Sequence, residues 1–123
     1  MRRKVLVAEM VIAILLLGST NAFAHAQVEA TSPLKGAVLT TSPQSVWVQF
    51  GENLLVLDKN HINSVTVADS SGKRMDNSST IIKGTKAIVK IKGILAPGKY
   101  VVKYRAVSED GHVVSGSYNF SVK

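Results

Sequence analysis

Residues 100–122, YVVKYRAVSEDGHVVSGSYNFSV, decide the fold. Tyr100, Val102, Tyr104 and Ala106 alternate with Val101, Lys103 and Arg105. Further on, Tyr118, Phe120 and Val122 alternate with Ser117, Asn119 and Ser121. Successive side chains of an extended strand point to opposite faces, so each run reads as a strand with one face inward. Asp110-Gly111 lies between the runs, and Asp-Gly between alternating segments is a strong hairpin signal.

The same period of two recurs upstream. Val46, Val48 and Phe50 alternate with Ser45, Trp47 and Gln49, which sends Trp47 outward to cover the outer face of a sheet. Ala87, Val89 and Ile91 alternate with lysines. Turn signals fall at Ser42-Pro43, Ser70-Ser71-Gly72 and Ala96-Pro97-Gly98. No stretch after residue 25 carries a helical period. About seven short strands between punctuated turns predict an all-β domain, an immunoglobulin-like Greek-key β-sandwich or barrel. There are no repeats or linkers, so residues 25–123 are expected to form one domain.

The first twenty-four residues have a different character. Arg2, Arg3 and Lys4 precede an apolar run from Val5 to Gly18, and Ala22-Phe23-Ala24 is a small-residue cleavage triplet. The run is short for a membrane span of about 20 residues, and Glu9 interrupts it. The expectation is a signal peptide, residues 1–24, cleaved after Ala24, and an exported product in the periplasm or, in a host with one membrane, outside the cell. Of the chain's 15 basic and 8 acidic residues, cleavage removes three and one, leaving a net charge of +5. Lys83, Lys86, Lys90, Lys92, Lys99 and Lys103 carry much of it. They alternate with apolar residues at strand spacing, with no aromatic stacking residues among them, so they read as a solvated face that guards the sheet edges. A basic balance can otherwise mean nucleic acid or an anionic membrane as partner, and on this reading neither is expected. The absence of cysteine excludes disulfides, thiolate metal sites and redox pairs.

Few residues are left for chemistry. The serines have no evident partner base, and no nucleophile elbow or His-Glu-x-x-His motif occurs. His25 follows the expected cut. It is either simply the next residue or a ligand that the cut creates. In the second case its α-amine and ring Nδ1 close a six-membered chelate suited to Cu(II) or Ni(II), with Cu(II) the tighter. Asp110 and His112 are separated by one glycine. In an extended segment their side chains share a face and can meet one ion; otherwise Asp110-Gly111 is an ordinary turn. Glu52, two residues past Phe50, is either a carboxylate at the rim of the sheet or an exposed loop acid. His61 follows a polar Asp-Lys-Asn turn and reads as exposed. Met75, beside Arg74 and Asp76, reads as a gap-filler or strand-edge residue.

Together, HAQVEATSPLKGAVLTTSPQSVWVQFGENL and PGKYVVKYRAVSEDGHVVSGSYNFSV resemble the CopC/YobA family of exported copper-binding proteins. The likeness covers essentially all of the chain after residue 24. It implies a seven-stranded Greek-key barrel or sandwich. It also implies a Cu(II) site with the amine and imidazole of His25, the imidazole of His112 and the carboxylate of Asp110, with Glu52 contributing or close by. The family's serine before that glutamate is Gly51 here. A methionine-rich loop for Cu(I) is not present, because only Met75 follows residue 25. The resemblance implies a protein that sequesters copper, confers resistance, or delivers the ion to an inner-membrane CopD-like copper transporter; a monomer is expected, though the sequence does not fix the oligomeric state. Two other classes stay open: a copper-dependent oxidative enzyme built on an N-terminal histidine, and a metal-free immunoglobulin-like binding module. No catalytic residue is expected on the preferred reading.

Overall fold

Alternation along the sequence becomes alternation of burial in the structure, a computed structural model that describes residues 27–57 and 62–123. The expected leader, His25 and His61 lie outside the described residues. The elements are β1 (Val28–Ser32), β2 (Val38–Leu39), β3 (Ser45–Phe50), β4 (Ser64–Asp69), β5 (Asp76–Lys83), β6 (Lys86–Ile91), β7 (Gly98–Val107) and β8 (Val113–Val122). They form two four-stranded sheets, in the orders β1-β3-β6-β5 and β2-β8-β7-β4. The sandwich is the expected one. Its eighth element is β2, a two-residue strand parallel to the end of β8, too short to leave a periodic signal in the sequence.

The inner faces meet in one core. Val46, Val48 and Phe50 of β3 and Ala87 and Val89 of β6 pack opposite Val65 and Val67 of β4, Val102 and Ala106 of β7, and Phe120 of β8. β-Branched and aromatic side chains suit such a pleated, one-sided surface. Phe50 meets Tyr104 edge-on at 5.9 Å between ring centroids, and Tyr100 stacks on Phe120 at 5.5 Å. The Tyr100 hydroxyl donates to the Ala96 carbonyl, tying the turn before β7 to that strand in the manner of a tyrosine corner.

β5 and β4 are each an edge strand of their sheet, and a buried acid joins them. Asp76 Oδ2 accepts the Val67 N–H at 2.8 Å, and Oδ1 accepts the Ser78 N–H at 2.8 Å. Arg74 closes on the same carboxylate from outside, with Nε and Nη2 at 2.8 and 2.7 Å. Farther along the seam the Thr80 hydroxyl accepts the Val65 N–H at 3.1 Å. Side chains of β5 thus satisfy edge donors of β4 that a neighbouring strand would otherwise take. Met75 fills space against the core beside this seam, as expected of an unbranched side chain.

No aromatic stacking residue shows itself among the lysines along the chain, but one stands beside them across the sheet. Trp47 faces outward and half-buried on β3, and Lys86 Nζ of β6 lies 4.1 Å from its ring centroid. Adjacent strands bring together residues that sequence order keeps 39 positions apart.

Candidate metal centre

β7 and β8 pair in register up to Val107 opposite Val113, which leaves residues 108–112 as their connection. The connection is a turn rather than the extended segment the i, i+2 argument requires. Gly111 donates its N–H to the Ser108 carbonyl at 2.9 Å, and Ser108 donates its own to the His112 carbonyl at 2.9 Å. Gly111 adopts φ +90°, a conformation that glycine reaches without a Cβ penalty.

The turn still brings Asp110 and His112 together, by a different route. Asp110 Oδ1 accepts the His112 N–H at 3.2 Å, the self-bonding habit of aspartate in turns. Oδ2 then lies 2.9 Å from Nδ1 of the His112 ring. The hydroxyl of Ser108, a residue almost wholly buried, donates to Oδ1 and fixes the carboxylate from the protein side. That hydrogen bond and the one to His112 hold the Asp110 carboxyl well below the usual carboxylate range. Both functional side chains remain open to solvent, His112 at 64% and Asp110 at 40%. Ser108 is a residue the sequence argument left unassigned. Its signal is the Ser-x-Asp spacing immediately after a strand of inward-facing residues.

One further segment meets this turn, and a second meets that segment. Glu109 donates its N–H to the Asn53 carbonyl at 3.0 Å, and Leu54 bridges to Ser108. The 51–54 loop that carries half-buried Glu52 is therefore fastened to the turn that carries Asp110 and His112. On its other side Gly51 donates to the Gln27 carbonyl at 2.9 Å, and Val28 pairs with Phe50. The described chain thus begins at the same pole of the sandwich, two residues after His25. The structure joins Asp110 to His112 and sets the loop of Glu52 beside them. Among the described residues, no group of three or more histidines, cysteines or acids stands close enough to hold a metal ion by itself. The pole is open. A polar cleft of about 310 Å³ lies elsewhere, at the β4–β5 seam beside Arg74 and Thr80.

Residues 28–123 match the family model described as the CopC domain. The chain belongs to the CopC domain family. Several relatives carry copper resistance or copper transport names. One is copper resistance protein C of Xanthomonas campestris pv. juglandis, 32% identical over 113 residues, covering 87% of each chain. Another is the copper transport protein CutJ of Bacillus subtilis, 33% identical over 105 residues. That match takes in 83% of this chain but 19% of CutJ, so the chain spans about a fifth of that relative's length. Among solved structures, CopC from Methylosinus trichosporium OB3b superposes with a TM-score of 0.70 at 29% identity, covering 80% of this chain and 94% of that one. Its sandwich is the one described above.

Proposed function

We propose that the processed protein is a periplasmic or secreted Cu(II) carrier, with copper held by the α-amine and Nδ1 of His25, Nδ1 of His112 and a carboxylate oxygen of Asp110. The observation that carries this reading is the 2.9 Å between Asp110 Oδ2 and His112 Nδ1. Two ligands at about 2 Å from one ion, at right angles as tetragonal Cu(II) prefers, stand about 2.8 Å apart. An ion held by the two atoms replaces their mutual contact. Gln27 supports the other half of the site, because it is bonded to the loop fastened to this turn. Two residues of extended chain span up to about 7 Å, enough to serve the same pole from His25. Glu52 serves as a flanking carboxylate in that loop.

Copper here is cargo. Neutral nitrogens with one carboxylate favour Cu(II) over Cu(I), so reduction releases the ion. The exposed turn suits exchange with a partner, and CutJ, a longer protein with a copper-transport name, supports hand-over to a membrane copper transporter. The chain works as a monomer, with no reaction of its own. The test compares Cu(II) titrations of protein cleaved after Ala24 with protein carrying one extra residue before His25. The extension removes the amine from the chelate and is expected to weaken binding strongly while leaving the melting temperature unchanged. Equal affinities would remove His25 from the site. Robust peroxide production with ascorbate would move the protein into the enzyme class.

A further inference from the structure

The outer face of the β1-β3-β6-β5 sheet is unlike the rest of the surface. Register places Trp47 beside Ile88, and Ile88 beside Ile81, in one apolar row across three strands. Ile81 is 42% exposed. Lys86 and Lys90 flank Ile88 on β6, and Lys83 on β5 pairs directly with Lys86. The other registered positions on this face, Ala30, Ser32, Ser45 and Gln49, are uncharged. The exposed acid of these strands, Glu29, sits at the β1 bulge, out of register with β3.

Two features mark this face as built to meet negative charge. Like charges directly opposite one another weaken a sheet, yet Lys83 and Lys86 are placed so. An anionic surface relieves that repulsion. Lys86 also caps the Trp47 ring at 4.1 Å, and a sugar or nucleobase would need that ring face open for stacking. A layer of lipid phosphates needs no stacking. It takes the ammonium groups as point charges, while tryptophan and isoleucine settle at the headgroup boundary. The opposite sheet is also basic, through Lys99, Lys103 and Arg105, but Lys103 stands in register with Thr66 and Ser117 and no apolar row crosses it.

We propose that this face is a docking surface for an anionic phospholipid bilayer. Lys83 and Lys86 lie at the end of the sheet that carries the candidate metal centre, since the Thr85 carbonyl between them accepts the Phe50 N–H and the Gly84 carbonyl accepts that of Leu54. Docking therefore brings the metal-bearing pole to the membrane. The inference is independent of the metal site and stands whether or not copper binds there.

The experiment is vesicle co-sedimentation of the exported protein, read in parallel by the emission of Trp47, the chain's one tryptophan. Vesicles of equimolar phosphatidylglycerol and phosphatidylcholine are expected to bind it and shift its emission to the blue; vesicles of phosphatidylcholine alone are not. Each lysine near an anionic leaflet is worth about five-fold in partitioning, so Lys83→Gln/Lys86→Gln/Lys90→Gln should weaken binding by about 100-fold. Lys99→Gln/Lys103→Gln, on the opposite sheet, should change it by less than about five-fold. Lys90→Gln alone, at an exposed position, should cost about five-fold and provides the readout if the triple variant does not fold. Equal binding to both vesicle types overturns the proposal. So does equal weakening by the opposite-sheet variant, or a larger Trp47 shift with single-stranded DNA or heparin than with vesicles.

Discussion

Asp110 holds the ring of His112 by its Nδ1 at 2.9 Å, within a turn that Ser108 closes at both ends. Ser108 donates its backbone N–H to the last residue of the turn and its hydroxyl to the carboxylate, so the pair is ordered before any ion arrives. Preorganisation of this kind lowers the ordering cost of binding. Asp110→Asn keeps the size of the side chain but removes the anionic ligand, and His112→Ala removes a nitrogen. Each is expected to weaken Cu(II) binding by at least about tenfold, measured by competition titration. Because both side chains are exposed, melting temperatures should stay close to that of the parent. A large loss of stability with unchanged affinity would make the pair structural.

Ser108→Ala separates positioning from ligation. The variant keeps both proposed ligands and removes the hydroxyl that anchors Oδ1. Loss of a partner that orients a ligand costs about 10- to 100-fold in metal affinity. The copper-bound spectrum should retain its donor signature, because the donor set is unchanged. A changed spectrum would show that the hydroxyl itself enters the coordination sphere.

At the β4–β5 seam Asp76 is 1% exposed and accepts four hydrogen bonds, two of them from backbone N–H groups. Asp76→Ala leaves those donors without their acceptor and removes one of the links between the two edges. Arg74 is half-exposed and can turn to water, so the cost is that of the orphaned donors, about 1–3 kcal/mol for each that stays buried, visible in urea melts. A cost below about 1 kcal/mol would show that water replaces the carboxylate and that the seam is not held by it.

The same carboxylate sets a pH dependence. Burial pushes its pKa upward, but Arg74 and the N–H groups of Val67 and Ser78 outweigh burial and hold it below the ordinary value. A depressed folded-state pKa gives stability that is complete above the unfolded value, about 3.9, and is lost as pH falls through the folded one. Thermal melts between about pH 6 and pH 2.5 should therefore fall below about pH 4. Asp76→Asn should flatten that fall. An equally steep fall in the variant would assign the acid loss to other carboxylates.

Much of this was legible in the sequence, and the limits have physical causes. Period two places β3, β6, β7 and β8 because each buries one face against the core, and burial is what writes the pattern. The pattern is blind to what lies across a strand pair, so Trp47 under Lys86 and Lys83 opposite Lys86 could not be read. β5 was harder. Its register shifts between Asp76 and Thr80, and its first residue is a buried acid where alternation expects an apolar side chain. At the metal centre the spacing of Asp110 and His112 was visible, and of the two local geometries it allowed the turn is adopted, not the extended one. A backbone turn at Gly111 and the Ser108 hydroxyl produce the meeting instead.

Gly116 shows how closely the core fits one such position. On β8 it faces Tyr104 of β7, its registered partner. A Cβ built there would lie 2.7 Å from Tyr104 Cζ and closer still to its hydroxyl. Tyr104 in turn rests edge-on against Phe50, so the ring has core on its far side and cannot simply swing clear. Overpacking of this sort typically costs about 1–3 kcal/mol. Gly116→Ala is expected to fall in that range by urea melts, and Tyr104→Phe in the same chain should recover part of it by removing the oxygen nearest the new methyl. If Gly116→Ala instead matched the parent in stability, the ring would have to be free to move. The contact between Phe50 and Tyr104 would then not be the fixed wall that the packing of β7 against β3 implies.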